Sequence, residues 1–177
     1  MIALRQRLEA IEGDITTLRL DAIVNAANAA LMPGGGVDGA IRRKAGHAID
    51  EDLYKIGRCE EGQAVVTPGY RLPARHVIHT VAPIWAGAPA RAAQSATLAR
   101  CYENTLALAD AKAVRTIAFP AIGTGAYGWP AEEAAQIAFD AVVAHLARCD
   151  VQTLVTFCCF NNADKKRYAA LIAGLKN

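Results

Sequence analysis

The chain lacks what several classes of protein require. Basic and acidic residues nearly balance, leaving a net charge of +2 over 177 residues. Both signs are mixed along the sequence, so no excess of basic charge points to a specific nucleic-acid partner or a membrane surface. No apolar run is long enough to cross a bilayer. The five cysteines, Cys59, Cys101, Cys149, Cys158 and Cys159, contain no CxxC pair. Odd in number and irregular in spacing, they give neither a disulfide framework nor a zinc set, and reduced, mostly buried thiols are expected. Neither GxSxG nor GxxxxGK[ST] occurs, so a serine-hydrolase elbow and a Walker A loop are both missing. His76 and His79 are three apart on a strand candidate, point to opposite faces and cannot chelate together. No residue set calls for a metal, and no cofactor is expected.

What is present describes an ordinary globular chain, 53% hydrophobic and 20% charged. Its length suits one domain over residues 1–177 and a core large enough to fold without disulfide or metal. The opening MIALRQRLEAIEGD has charges where a signal peptide needs an apolar stretch, so a cytoplasmic location is expected. Strand candidates are Leu4–Ile11, Ala22–Asn25, Ala64–Thr67, His76–Val81, Thr116–Ala121 and Thr153–Phe160. Several show Val and Ile with little alternation, as strands covered on both faces do. Helix candidates are Ala92–Ala111, Ala131–Ala147 and Ala163–Leu175. The first carries Leu98, Cys101, Tyr102, Thr105, Leu106 and Ala109 on one stripe. The second opens on Pro130 with Glu132 and Glu133 and buries Ile137, Ala138, Ala141 and Val142. The third takes Asn161 or Asn162 as its cap, with Tyr168, Leu171, Ile172 and Leu175 at helical spacing. Alternating strands and helices predict an α/β sandwich on a largely parallel sheet.

Ligands of open α/β sheets sit beyond the C-terminal strand ends, where loops and helix N-termini converge. Three segments occupy such positions. Asn25-Ala-Ala-Asn28 leads to Gly34-Gly35-Gly36-Val37-Asp38, where glycines bring backbone amides close to an anion and Asp38 falls in the first turn of a helix. The plain alternative is a flexible turn with Asp38 as a helix cap. Pro120–Gly128 satisfies GxGxxG through Gly123, Gly125 and Gly128. The strand after it ends Phe160-Asn161-Asn162 without the carboxylate of a dinucleotide unit, which favours a phosphate-cradling loop over a nicotinamide-cofactor fingerprint. Gly13-Asp14-Ile15-Thr16 follows the first strand, where Asp14 reads equally as a turn-capping residue.

Together, IEGDIT, DAIVNAAN, GGGVDGAI, LPARHVIHTVAPIW, FPAIGTGAYGWP and CCFNN resemble the macrodomain family, and within it the MacroD-type ADP-ribosyl hydrolases. The resemblance covers nearly the whole chain. It implies a single three-layer α/β/α domain with a mixed, mostly parallel sheet of about six strands and a cleft for ADP-ribose. By resemblance, Asp14 and the Ile15 amide meet the adenine, and Phe160 packs near it. Gly123, Thr124, Gly125, Ala126 and Tyr127 wrap the pyrophosphate, while Gly35, Gly36 and Val37 face the distal ribose. Asn28 and Asp38 form the catalytic pair there, with Asn25 counted among the ligand-binding residues and Tyr127 over the ribose. The sequence departs from the family pattern at Arg42, where His is common, at Ala82, where Gly is common, and at Gly123-Thr124, where Ser-Thr can stand.

The implied activity is hydrolysis of an ester at the distal ribose. The substrates would be O-acetyl-ADP-ribose or ADP-ribose on Asp and Glu of mono-ADP-ribosylated proteins. Asp38 either deprotonates a water or positions the ribose for a water held by the substrate's own phosphate. A non-catalytic ADP-ribose reader, an ADP-ribose 1″-phosphate phosphatase and a dinucleotide oxidoreductase are the rivals. Readers can lack the GGVD aspartate, so Asp38 beside Asn28 favours the enzyme.

Overall fold

The structure, a computed structural model, describes residues 3–149 and 151–175. Six strands form one sheet: β1 (Leu8–Glu12), β2 (Ala22–Ala26), β3 (Ala64–Pro68), β4 (His76–Thr80), β5 (Thr116–Phe119) and β6 (Leu154–Cys159). Among the described residues five α-helices accompany them: α1 (Gly36–Ala45), α2 (Ala48–Ile56), α3 (Arg91–Ala111), α4 (Ala131–Arg148) and α5 (Asn162–Ala173). The strand order is β1-β6-β5-β2-β4-β3, parallel throughout except for the edge strand β3, which runs antiparallel to β4.

Successive residues of a strand point to opposite faces, and here both faces are apolar. Ala22, Val24, Ile78, Ile117, Phe119, Val155 and Phe157 pack with α3, α4 and α5. Ile23, Val77, Ala118 and Cys158 pack instead with Ile41, Ile49 and Leu53 of α1 and α2. This two-sided burial is why the strands read as unbroken apolar runs, and it produces the three layers. Cys158 and Cys159 fall on opposite faces, and all five cysteines are unpaired. Among the described residues no helix is long and apolar enough to cross a membrane.

The apolar stripe expected on α3 is the one buried. Helix α4 starts after Pro130 with Glu132 and Glu133 in its first turn, and Asn161 caps α5 by accepting from the Asp164 amide at 2.9 Å. Two elements differ from expectation. The strand predicted from Leu4 begins only at Leu8, because Leu4–Arg7 forms a 3-10 turn. Arg7 closes that turn. Its guanidinium turns inward to the carbonyls of Thr153 (3.2 Å), Leu146 (3.1 Å) and Val151 (2.7 Å). Helix α2 gave no signal in the sequence. It is nine residues long, buries only Ile49 and Leu53, and His47 at its N-cap makes no side-chain capping bond.

Strand order sets the position of the site. From β2 the chain moves outward to β3 and β4, then crosses back to β5 and continues outward the other way to β6. The switch point lies between β2 and β5. Their pairing covers only Ala22 with Ile117 and Ile23 with Ala118, whereas β2 pairs with β4 all the way to Ala26. The C-terminal halves of β2 and β5 are therefore not joined, and this is the place where open α/β sheets have their ligand crevice.

Phe157 is 1% exposed and stacks on Tyr168 with ring centroids 4.3 Å apart. Phe157→Ala should lower unfolding stability by about 3–5 kcal/mol, read as a shift of the urea midpoint at unchanged m-value.

Candidate functional site

Five parallel strands end on one edge of the sheet, and every segment singled out in the sequence lies on that edge. Along it come Gly13-Asp14 after β1, Phe160 after β6, the Pro120–Gly128 loop after β5 and the Asn28–Asp38 segment after β2. From β1 to β2 there are three inter-strand spacings, about 14 Å at the usual separation.

Around the switch point the key group is Asp38, in the first turn of α1 and 3% exposed. Its Oδ1 accepts from Asn25 Nδ2 at 2.7 Å. Its Oδ2 accepts from the Gly34 amide at 2.7 Å and from Arg42 Nε at 2.8 Å. Asp38 is thus not the helix cap; Gly35 occupies that position. Instead it folds the glycine turn back on its own helix. The Gly34 carbonyl comes so close that a Cβ on Gly39 would stand 2.9 Å from it, so only glycine fits at 39.

Asn28 lies on the same loop. Its Oδ1 accepts from the Met32 amide at 3.1 Å and its Nδ2 donates to the Met32 carbonyl at 2.7 Å, which orients the amide group. Asp38 Oδ2 and Asn28 Nδ2 both lie within 4 Å of where a side chain on Gly34 would begin. The expected pair is therefore brought together. Asn25, expected among the ligand-binding residues, is fully buried and serves Asp38 from below.

That lower layer was not visible in the sequence. Asn25 pairs with His79 across β2 and β4, with Asn25 Nδ2 3.0 Å from His79 Nδ1. His79 Nε2 lies 3.0 Å from Thr67 Oγ1 on β3. Since Asn25 Nδ2 can only donate, His79 accepts at Nδ1 and carries its proton at Nε2, where Thr67 accepts. Burial pushes His79 down to about 4; Asp38 opposes that shift and Arg42 adds to it. Arg42, noted in the sequence only as a departure, is a second support. It is 7% exposed, donates to Asp38, to Asp50 of α2 and to the Leu31 carbonyl (2.9 Å), and so pins the loop before α1.

On the β5 side, Gly123 has φ of +85°, and a Cβ there would meet Trp129 Cδ1 at 2.7 Å. Trp129 is held by its Nε1 donating to the Pro83 carbonyl at 2.8 Å and lies beside Trp85. Among the described residues, the amides of Gly125, Ala126 and Tyr127 donate to no carbonyl or side chain, and neither do those of Gly35, Gly36 and Val37. Two sets of free N–H groups thus flank the crevice, which suits an anion without requiring Lys or Arg. Tyr127 is half-buried against the core rather than freely exposed.

At the β1 end, Asp14 caps a 3-10 turn. Its Oδ1 accepts from the Thr16 amide (2.9 Å) and hydroxyl (2.6 Å), which lowers its pKa. Its second oxygen remains available, as does the Ile15 amide. Phe160 is 94% exposed, a large apolar ring with nothing over it.

The Macro domain family profile matches residues 24–138. A Macro domain-containing protein of Ralstonia nicotianae is 54% identical over 161 residues, covering 91% of each chain. The O-acetyl-ADP-ribose deacetylase of Klebsiella pneumoniae is 51% identical over 169 residues, covering 93% of this chain and 95% of that one. Among solved structures, the Oceanobacillus iheyensis macrodomain with ADP is similar at a TM-score of 0.88 and 39% identity, over 94% of this chain and 90% of that one. A Trypanosoma brucei macrodomain in complex with ADP matches at 0.87 and 36%, over 94% and 69% of the two chains.

The buried network makes stability depend on pH. An unfolded His titrates near 6.5 and folded His79 near 4, so the unfolded chain takes up the extra proton as pH falls between those values. Stability is complete above about 6.5 and declines toward 4, by up to about 3 kcal/mol from this group. Urea midpoints from pH 7 to 4.5 should therefore fall more steeply for the parent than for His79→Gln. Arg42→Leu strands Asp38 and Asp50 without their cation and should cost about 3–5 kcal/mol at neutral pH in the same assay.

Proposed function

The chain belongs to the macrodomain family, and on that premise we propose that it binds ADP-ribose along the strand-end rim and hydrolyses an ester at the distal ribose. One observation carries the reading. Asp38 and Asn28 meet at Gly34 on one wall of the switch-point crevice, between two sets of unbonded amides. The deacetylase of Klebsiella pneumoniae, 51% identical, supports the enzyme over a binding module.

In this reading, Phe160 covers the adenine, and the free Asp14 oxygen and Ile15 amide meet its edge. The pyrophosphate rests on the amides of the β5 loop, and Gly35, Gly36 and Val37 line the distal ribose. Three donors already engage Asp38. It therefore works chiefly as a fixed carboxylate that sets the ribose and the attacking water, more than as a mobile base. Fixing that geometry is a recognised source of rate, since a misplacement of about 1 Å can cost about 10²-fold. Asn28 retains one N–H and one lone pair beyond its bonds to Met32, enough to hold ribose hydroxyls. O-acetyl-ADP-ribose and ADP-ribose linked to Asp or Glu of proteins present the same ester to this pair, and cellular reversal of mono-ADP-ribosylation in the cytoplasm would follow from the second.

The test is turnover of O-acetyl-ADP-ribose and of a Glu-linked ADP-ribosylated protein, with ADP-ribose binding followed by calorimetry. The parent should hydrolyse at least one ester. Asn28→Ala should lose roughly 10²-fold or more in kcat while still binding ADP-ribose. An Asp38→Ala variant that matches the parent in both rate and melting temperature would refute the assignment of Asp38. Tight binding with no turnover of either ester would identify a reader.

A further inference from the structure

The opposite edge of the sheet carries a second constellation. Helix α3 ends at Ala111 before β5, and α4 ends at Arg148 before β6, so their last turns lie at the strand beginnings, away from the rim. There Asp110 of α3 meets His145 of α4 and Cys149, the residue that caps that helix. His145 Nε2 lies 2.9 Å from Asp110 Oδ2, Cys149 Sγ lies 3.2 Å from that same oxygen, and Cys149 Sγ lies 3.4 Å from His145 Nε2. We propose that Asp110, His145 and Cys149 form a binding site for a zinc-like divalent transition-metal ion, with a fourth position for water.

The geometry separates this from the obvious rival, a Cys-His-Asp nucleophile. Such a triad uses both imidazole nitrogens, one toward the acid and one toward the thiol. Here Nε2 alone faces both partners, and one oxygen, one nitrogen and one sulfur converge on a common centre. Tetrahedral zinc at about 2.0 Å from N and O and 2.3 Å from S would place these atoms about 3.3–3.6 Å apart. Each edge of the present triangle needs to open by only a few tenths of an ångström. His145 and Asp110 are 13% and 27% exposed, which leaves an entry path for the ion.

Charge agrees. A thiolate and a carboxylate neutralise a dication, and the last turns of two helices present the negative ends of their dipoles. The thiol is held protonated without metal by burial and by its bond to Asp110, while Arg7 and Arg148 favour the thiolate. Binding converts Cys149–SH and M²⁺ into a thiolate–metal bond and releases the proton to solvent. Arg7 opposes a cation but is occupied by the carbonyls of Leu146, Val151 and Thr153.

Cobalt(II) titration of the full chain reads the site directly. The parent should show a thiolate-to-cobalt charge-transfer band with the intense visible bands of tetrahedral cobalt, at one ion per chain and displaced by zinc. Cys149→Ser should lose the charge-transfer band, and Asp110→Asn and His145→Ala should bind zinc roughly tenfold or more weakly. At equal concentration zinc should raise the melting temperature of the parent more than that of any variant, whereas ADP-ribose should shift the parent and Asp110→Asn equally. Melting in chelator checks that each variant folds, and Asp110→Asn serves if Cys149→Ser does not. Absence of the thiolate band in the parent, its survival in Cys149→Ser, or equal zinc affinity in parent and folded variants would overturn the site.

Discussion

The rim is held in shape by one carboxylate. Asp38 receives Asn25 from the sheet below, Gly34 from the loop before it and Arg42 from the next turn of its own helix. Each donor comes from a different piece of chain, so β2, the glycine turn and α1 are fixed relative to one another at a single point. Through Arg42 the hold extends to Leu31 and Asp50, and through Asn25 to His79 and Thr67. A polar line therefore runs from the edge strand β3, beneath the crevice, to α2.

Such a line is stable only when its members are satisfied, because an unpaired polar group at these depths costs about 1–3 kcal/mol. Most of it is satisfied. The exception is Asn25 Oδ1, buried without a partner among the described residues. Turning the amide over would place that oxygen against Asp38, so the orientation is forced and the loss is accepted where Asp38 must be fixed. His79 stays neutral for the same reason: a proton on Nδ1 would face the Asn25 N–H. The apolar layers on either face supply stability, while this line supplies geometry.

Much of the architecture was legible in the sequence, for identifiable reasons. Two-sided burial writes itself as Val and Ile runs, so the strands were visible; α3 and α4 are long enough for their stripes to declare themselves. The rim segments were visible because glycines beside asparagines have few other uses. Asp38 and Asn28 could be named, yet Asp38's engagement could not, since its donors come from register and from a loop closing on a helix. In the sequence His79 reads only as a histidine unable to chelate with His76, and Arg42 only as a departure from a pattern. Both matter through tertiary contacts that no spacing encodes. The turn at Leu4–Arg7 is hidden from the sequence for a related reason: Arg7 finds its three carbonyls across some 140 residues of chain.

The short ladder between β2 and β5 has one further consequence. The crevice is not a hole in a packed interior; it is a seam left unstitched at one end, with Ala22 and Ile23 as its last stitches. Its walls belong to two halves of the sheet, and the apolar layers on both faces run across from one half to the other. The seam's width can therefore change through the residues of the loops that border it, while the shared layers beneath hold the two halves together. Ligands of different bulk could be admitted to the same scaffold through loop sequence alone.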